Sequence, residues 1–307
     1  MTDNNKILLK TDLAMKLVFG RDDSRCKFIL KSLLQTILNI EIDTLEYKNP
    51  INLNDTIDSK QTEFAISIEI SGNVNCDIEI QLRNHAAFKD RLVFYGATLL
   101  TKNLEGKKGE NSKQSYAAIK RAIVICLADF EMFEELESYQ SNFVMKDREM
   151  NHYLSDVIEV ITLEMPKVES KKPVNEMTEM EKWLTYIRHN GNERYEEKIA
   201  EIVRESEAIE MAETVFNEIK NDEQARSALL SRQRFQFDIN AKINDCYDKG
   251  VEVGEEKGEK KGIEKGLKQG KIETIMNFYK TGASIEMISR ATGMTEAEIL
   301  ELVKRSE

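Results

Sequence analysis

The chain has 307 residues, 41% hydrophobic and 32% charged, enough for one large domain or a core with appendages and in keeping with a soluble, helix-rich protein. No run approaches the roughly 18 apolar residues of a membrane span. The opening residues 1–12 also lack the apolar stretch of a secretory signal, so the chain reads as cytoplasmic and without a membrane partner. Four scattered cysteines and three histidines leave no zinc-type pair and no basis for a His-centred triad, and the cysteines read as reduced core residues. The net charge of −11 opposes nucleic-acid binding in the mean. Its distribution is uneven: residues 83–121 hold nine Lys/Arg against three acids, a local +6 that leaves −17 for the remainder. That window is an electrostatic footprint for phosphates or, on charge alone, a solvated helix followed by a lysine-rich loop.

In chain order, Thr11 caps a first helix that runs to Phe19 and stops at Gly20. A second helix over residues 24–39 sets Phe28, Ile29, Leu33, Leu34, Ile37 and Leu38 on one face. A strand is expected over 41–47 and a polar loop over 48–59. Then Phe64, Ile66, Ile68 and Ile70 alternate with Glu63, Ala65, Ser67 and Glu69. After Ser71-Gly72-Asn73, Val74, Cys76, Ile78, Ile80 and Leu82 alternate with Asn75, Asp77, Glu79, Gln81 and Arg83. Two period-2 runs joined by a glycine turn predict an antiparallel hairpin with one apolar and one polar face.

A helix over 85–103, a basic loop over 102–115 and a wholly apolar strand over 122–128 come next, with further strands over 143–146 and 157–163. Past Pro166 and Pro173 the patterns are helical to Cys246. Gly250, Gly254, Gly258, Gly262, Gly266 and Gly270 then recur every four residues. Four helical residues turn about 400°, so these glycines form a slowly winding ridge. Each costs about 1 kcal/mol relative to alanine, which predicts a loosely populated helix unless a partner packs on it. The last 36 residues form short helices capped by Ser284 and Thr295. They resemble a helix-turn-helix, but Glu296, Glu298 and Glu301 oppose phosphate contact and favour packing or oligomerisation over DNA reading. Ile275, Phe278, Ile285, Met287 and Ile288 are expected at that surface unless packed. The resulting division is a core over 1–168, a helical region over 169–249, a glycine-tetrad linker over 250–271 and a short-helix module over 272–307.

Asp77, Glu79 and Gln81 share one strand face, which on its own reads as solvent-facing. Several features in sequence order make it more specific. The opening Asp12, Lys16, Phe19 and Gly20, the hairpin, the Ile78-Glu79-Ile80-Gln81 strand, the helix holding Arg91 and Tyr95, and the strand that follows resemble the recombination-promoting nuclease (Rpn) branch of the PD-(D/E)XK nucleases. The resemblance covers nearly the whole chain, tail included. It implies an α/β restriction-endonuclease-like core, a mixed sheet flanked by helices, with an α-helical C-terminal extension.

It further implies Mg2+-dependent DNA phosphodiester hydrolysis, with Mn2+ as substitute, in recombination or defence. Such chemistry needs a metal that polarises the phosphate and acidifies the attacking water, held by one or two carboxylates. By that resemblance Glu79 and the Ile80 carbonyl are metal ligands and Gln81 occupies the position where many relatives carry lysine. Lys89, Arg91, Lys107, Lys108 and Lys113 are the candidate DNA contacts. The chain departs from the pattern at Ala65, where the family's metal-binding aspartate falls. Either one substitution disabled an otherwise intact site, which the retained Glu79 and Gln81 favour, or the chain is a naturally degenerate member. Two functions follow: a DNA endonuclease fold disabled at position 65, or a DNA-binding or regulatory module that assembles, as a homo-oligomer, through its C-terminal helices.

Overall fold

The computed structural model describes residues 6–50, 66–84, 87–105, 119–169 and 171–306. The hairpin is its organising element. Ser71 and Gly72 take positive φ values of 47° and 73°, a turn conformation that follows the right-handed twist of the flanking strands. Strand β2 (Ile66–Ile70) and strand β3 (Val74–Gln81) therefore pair antiparallel, from Ile70↔Val74 to Ile66↔Ile78. Strand β1 (Leu45–Tyr47) adds antiparallel to β2. Strand β4 (Arg121–Ala128) lies parallel to β3, strand β6 (Tyr153–Glu164) parallel to β4, and strand β5 (Gln140–Lys146) antiparallel to β6. The order is β1-β2-β3-β4-β6-β5. The apolar run of β4 is explained by its place between two parallel neighbours, with both faces covered.

The first face belongs to the alternating isoleucines. Ile66, Ile68, Ile78, Ile125 and Leu163 are buried in one cluster with helices α1 (Asp12–Phe19) and α2 (Ser24–Leu38). Asp23 caps α2 by accepting from the Cys26 amide, and Asn39 ends it in the left-handed region. The opposite face is covered by helix α3 (Phe88–Glu105), whose Phe88 and Leu92 pack on Val124, Cys126, Ala128 and Val160. The helix approaches closely at Gly96: a Cβ there would stand 2.7 Å from the Ile158 Cγ2 and 3.6 Å from the Val124 Cγ2.

Helices α4 (Glu179–His189), α5 (Glu196–Glu205) and α6 (Glu207–Asn221) complete the first face, with Trp183, Ile202, Val215 and Phe216 in the same cluster as the sheet. A reciprocal capping box between Thr178 and Glu181 starts α4. Helix α7 (Glu223–Lys280) follows. The chain divides into two compact units, Met1–Phe235 and Gln236–Glu307. Within the first, Arg232 donates twice to the Asp12 carboxylate, at 3.0 and 2.9 Å, and Gln233 donates to the Lys6 carbonyl. The start of α7 thus pins the segment that leads into α1.

In the second unit, α7 ends at a turn with Gly282 at φ 89°, and helices α8 (Ile285–Thr292) and α9 (Glu296–Ser306) follow. Ile275, Ile288, Ile299 and Val303 bury one another. Ser284 caps α8 and Thr295 exchanges hydrogen bonds with Glu298.

One expectation changes, and the tail takes a definite form. The strand expected over 41–47 shortens to Leu45–Tyr47, because its partner β2 ends at the hairpin turn and the Ser71 amide closes onto the Thr44 carbonyl. The glycine tetrads lie within helix α7, as the helical linker reading expects, with neighbouring charges such as Lys260 and Glu256 paired at 2.5 Å one turn apart. Ile275 and Ile288 are buried, whereas Phe278 and Met287 stay exposed.

Replacing Gly96 with leucine tests the close approach of α3. Leucine is the better helix former, so a loss of stability isolates the clash with the sheet. The expected loss is about 1–3 kcal/mol in denaturant unfolding. Unchanged stability would mean that α3 does not seat here.

Candidate active site

Glu79 and Gln81 leave β3 on the face that α3 covers, in register with Cys126 and Ala128 of β4. Ile78 and Ile80, between and before them, belong to the opposite, fully apolar face. Glu79 is therefore a buried carboxyl, 5% exposed, rather than a solvent-facing one. Burial pushes its pKa up to about 7; the nearby Arg91 charge pulls against this, Asp77 adds to it, and Lys16 of α1 opposes it.

Gln81 is held from both sides. Its Oε1 accepts from Arg91 Nη2 at 2.9 Å, and its Nε2 donates to the Arg83 carbonyl at 3.1 Å. The Arg91 guanidinium lies 5.0 Å from the Phe88 ring and 5.6 Å from the Tyr95 ring, so the first turns of α3 fix it over the strand. Its Nε is buried with no hydrogen-bond partner among the described residues. The pair four apart in sequence, Arg91 and Tyr95, is thus in contact as the helix spacing requires.

Among the other sequence-derived candidates, Lys89 is exposed and sits over the Phe133 ring at 4.1 Å. Ile80 lies in β3 between the two polar residues. Ala65, Lys107, Lys108 and Lys113 lie outside the described residues. Glu69, on the polar side of β2, is occupied by Lys48 at 2.6 Å and Lys120 at 2.5 Å. These two lysines hold its carboxyl below the usual range and remove it as a substitute ligand.

The structure also assembles a group that sequence reasoning missed. The Asp129 amide donates to the Gln81 carbonyl at 2.9 Å, which fixes Asp129 just beyond the ends of β3 and β4. Its two carboxylate oxygens take Lys10 at 2.5 Å and Arg188 at 2.8 Å. Residues 10, 129 and 188 share no local pattern, so no sequence signal connects them.

A mixed sheet with helices on both faces, and a hairpin strand bearing Glu-Ile-Gln at its C-terminal end, defines an α/β fold of the PD-(D/E)XK nuclease type. Residues 9–246 match the family described as PD-(D/E)XK nuclease family transposase, and the chain belongs to that family. No curated protein and no solved structure matches it. No helix among the described residues is long and apolar enough to cross a membrane.

Nucleases of this superfamily generally use divalent metals. Among the described residues the donors around Glu79 do not fit such an ion. Glu79 is a single buried carboxyl pushed toward its neutral form, the Gln81 oxygen is taken by Arg91, and position 65 is alanine. Among the described residues no three His, Cys, Asp or Glu side chains come together as a ligand set. A hard divalent cation favours several oxygen ligands with negative charge, and here the Arg91 charge acts on Glu79.

The pKa of Glu79 gives a stability prediction with a definite sign. The folded value of about 7 lies above the ordinary 4.5, so the neutral acid contributes stability that is complete below about 4.5 and is lost as pH rises through 7. Glu79→Gln is neutral at every pH. The variant is expected to equal the parent near pH 4 and to exceed it at pH 8 by roughly 1–3 kcal/mol in denaturant unfolding. A variant less stable than the parent at pH 8 would contradict the burial of this carboxyl.

Proposed function

We propose that the chain is a DNA-binding member of a Mg2+-dependent endonuclease family whose own cleavage is disabled by Ala65. The observation that carries the reading is the Glu79-Ile80-Gln81 strand end, with Glu79 buried under α3 and Gln81 fastened to Arg91. This is the retained half of a ligand arrangement whose other half belongs on the first hairpin strand. The proposal requires the ladder to continue one residue past Ile66↔Ile78, which would pair position 65 with Glu79. Side chains directly opposite in an antiparallel pair stand about 4.5–5.5 Å apart at Cβ, close enough for two carboxylates to share one ion. Mg2+ is the natural occupant of such a carboxylate pair, with Mn2+ as substitute. Lys89, Arg91, Lys107, Lys108 and Lys113 are the proposed phosphate contacts, since the basic window that holds them runs against the acidity of the chain.

The experiment compares plasmid nicking by this chain and by Ala65→Asp with Mg2+ or Mn2+. The parent is expected to cut little or nothing, and Ala65→Asp to cut in a metal-dependent way that Glu79→Gln abolishes. If a folded Ala65→Asp binds both DNA and metal yet cuts nothing, the alanine is not the missing piece. The regulatory or assembly-module reading then replaces this one.

The second unit is proposed as the self-association element. With Ile275, Ile288, Ile299 and Val303 used internally, Phe278, Met287 and Leu300 remain 46%, 64% and 45% exposed. Light scattering of the full chain is expected to report an oligomer that Met287→Asp together with Leu300→Asp weakens. A monomer at high concentration would reject self-association.

A further inference from the structure

We infer that Lys10 and Arg188, held by Asp129 beside the end of β3, form a second phosphate-binding pair that seats the DNA backbone next to the Glu79–Gln81 strand end. This rests on the DNA-binding reading above and adds residues from two elements, the segment before α1 and the end of α4, that the basic window does not contain.

The argument is geometric. Asp129 is tied to Gln81 through the backbone, so the two cations it holds are positioned relative to the same strand end. One carboxylate faces two full positive charges, which leaves the cluster with a net charge of +1. Lys10 and Arg188 each keep a quarter of their side-chain surface, and Asp129 only 12%, so the cations and not the acid face outward. The charges of Lys10 and Arg188 also reach a neighbouring histidine. His189, whose ring is stacked at 3.7 Å on Tyr195, is held down to about 4 by burial, by Arg188 and by Lys10, against the pull of Asp129, with Lys198 adding to the effect. Three cations thus act on one histidine in a chain of net charge −11.

Asp129 bridges two cations as Glu69 does between Lys48 and Lys120, and the Asp129 group differs in being tied by its backbone to the end of β3 beside Gln81. A phosphate diester offers the surplus charge an exposed anionic partner. Lysine supplies a point charge and arginine a planar pair of donors, a combination suited to adjacent phosphate oxygens. Asp129 then has a definite role: it holds the two side chains extended before DNA arrives and competes with phosphate for them.

That role separates the inference from simple packing. Duplex DNA binding is measured across a salt series for the parent, Asp129→Asn, and the double variant Lys10→Gln/Arg188→Gln, with thermal unfolding as the folding control. Asparagine keeps an oxygen for one of the two cations and removes the competing charge, so Asp129→Asn is expected to tighten binding several-fold at low salt. The double variant is expected to weaken binding roughly tenfold and to lower the log–log salt slope by about one per cation removed. Lys10→Arg is expected to retain parental affinity. If the parent binds no duplex DNA, the DNA-binding reading and this inference fall together. If the parent binds but a folded double variant keeps the parental affinity and slope, this inference alone is overturned. Should Asp129→Asn lose its fold, the double variant decides by itself.

Discussion

The packing of α3 onto the sheet is the constraint on which the site depends. The helix leaves the end of β3, crosses back over β4 and β6, and is drawn close at Gly96, where no side chain intervenes. That seating buries Glu79 instead of leaving it on a wet strand face. It also brings the first turn of α3 over the strand end, so that Arg91 reaches Gln81 and lies against Phe88 and Tyr95. A carboxyl in this position loses hydration and gains only partial compensation from one guanidinium, hence its raised pKa. Such a site gains from an opposing charge, and a metal ion held by a second carboxylate would supply one. On the proposed reading alanine at position 65 leaves that second carboxylate missing, and Glu79, with its pKa raised to about 7, is neutral below that pH.

The opposite face explains why the site can carry this cost. Isoleucines from β2, β3 and β4 pack on α1, α2 and α4 in one continuous cluster that also takes in α5, α6 and the start of α7. Phe19 and Trp183 meet within it at 5.9 Å between ring centroids. The strand that presents Glu79 is therefore fixed from behind by its alternate residues, Ile78 and Ile80. Position and chemistry are divided between the two faces of one strand. The Arg232–Asp12 contact adds a further tie, joining the start of α7 to the helix whose Lys16 charge is felt at Glu79.

Much of this was legible in the sequence because it is local. The hairpin followed from two period-2 runs and a glycine turn, and β4 from an unbroken apolar run that only a strand covered on both faces explains. Thr11 and Gly20 bounded α1 as expected, although the Thr11 hydroxyl donates to the Leu8 carbonyl instead of capping the helix. The Glu79-Ile80-Gln81 strand end was legible through its family resemblance, and the relation of Arg91 to Tyr95 through helical spacing. What the sequence hid is non-local. The burial of Glu79 depends on where α3 lands. Asp129 meets Lys10 and Arg188 across separations of 119 and 59 residues. The shortening of β1 depends on where its partner turns. The glycine tetrads of the tail were legible as a helical segment from their four-residue spacing.

The central claim is that this chain retains one carboxylate of a metal site and lacks the other. The most direct measurement is calorimetric titration of Mn2+, without DNA, into the parent and into Ala65→Asp. The account predicts weak or undetectable binding by the parent and one site per chain in Ala65→Asp, with protons released as Glu79 ionises on binding. Tight stoichiometric binding by the parent, undiminished by Glu79→Gln, would contradict it.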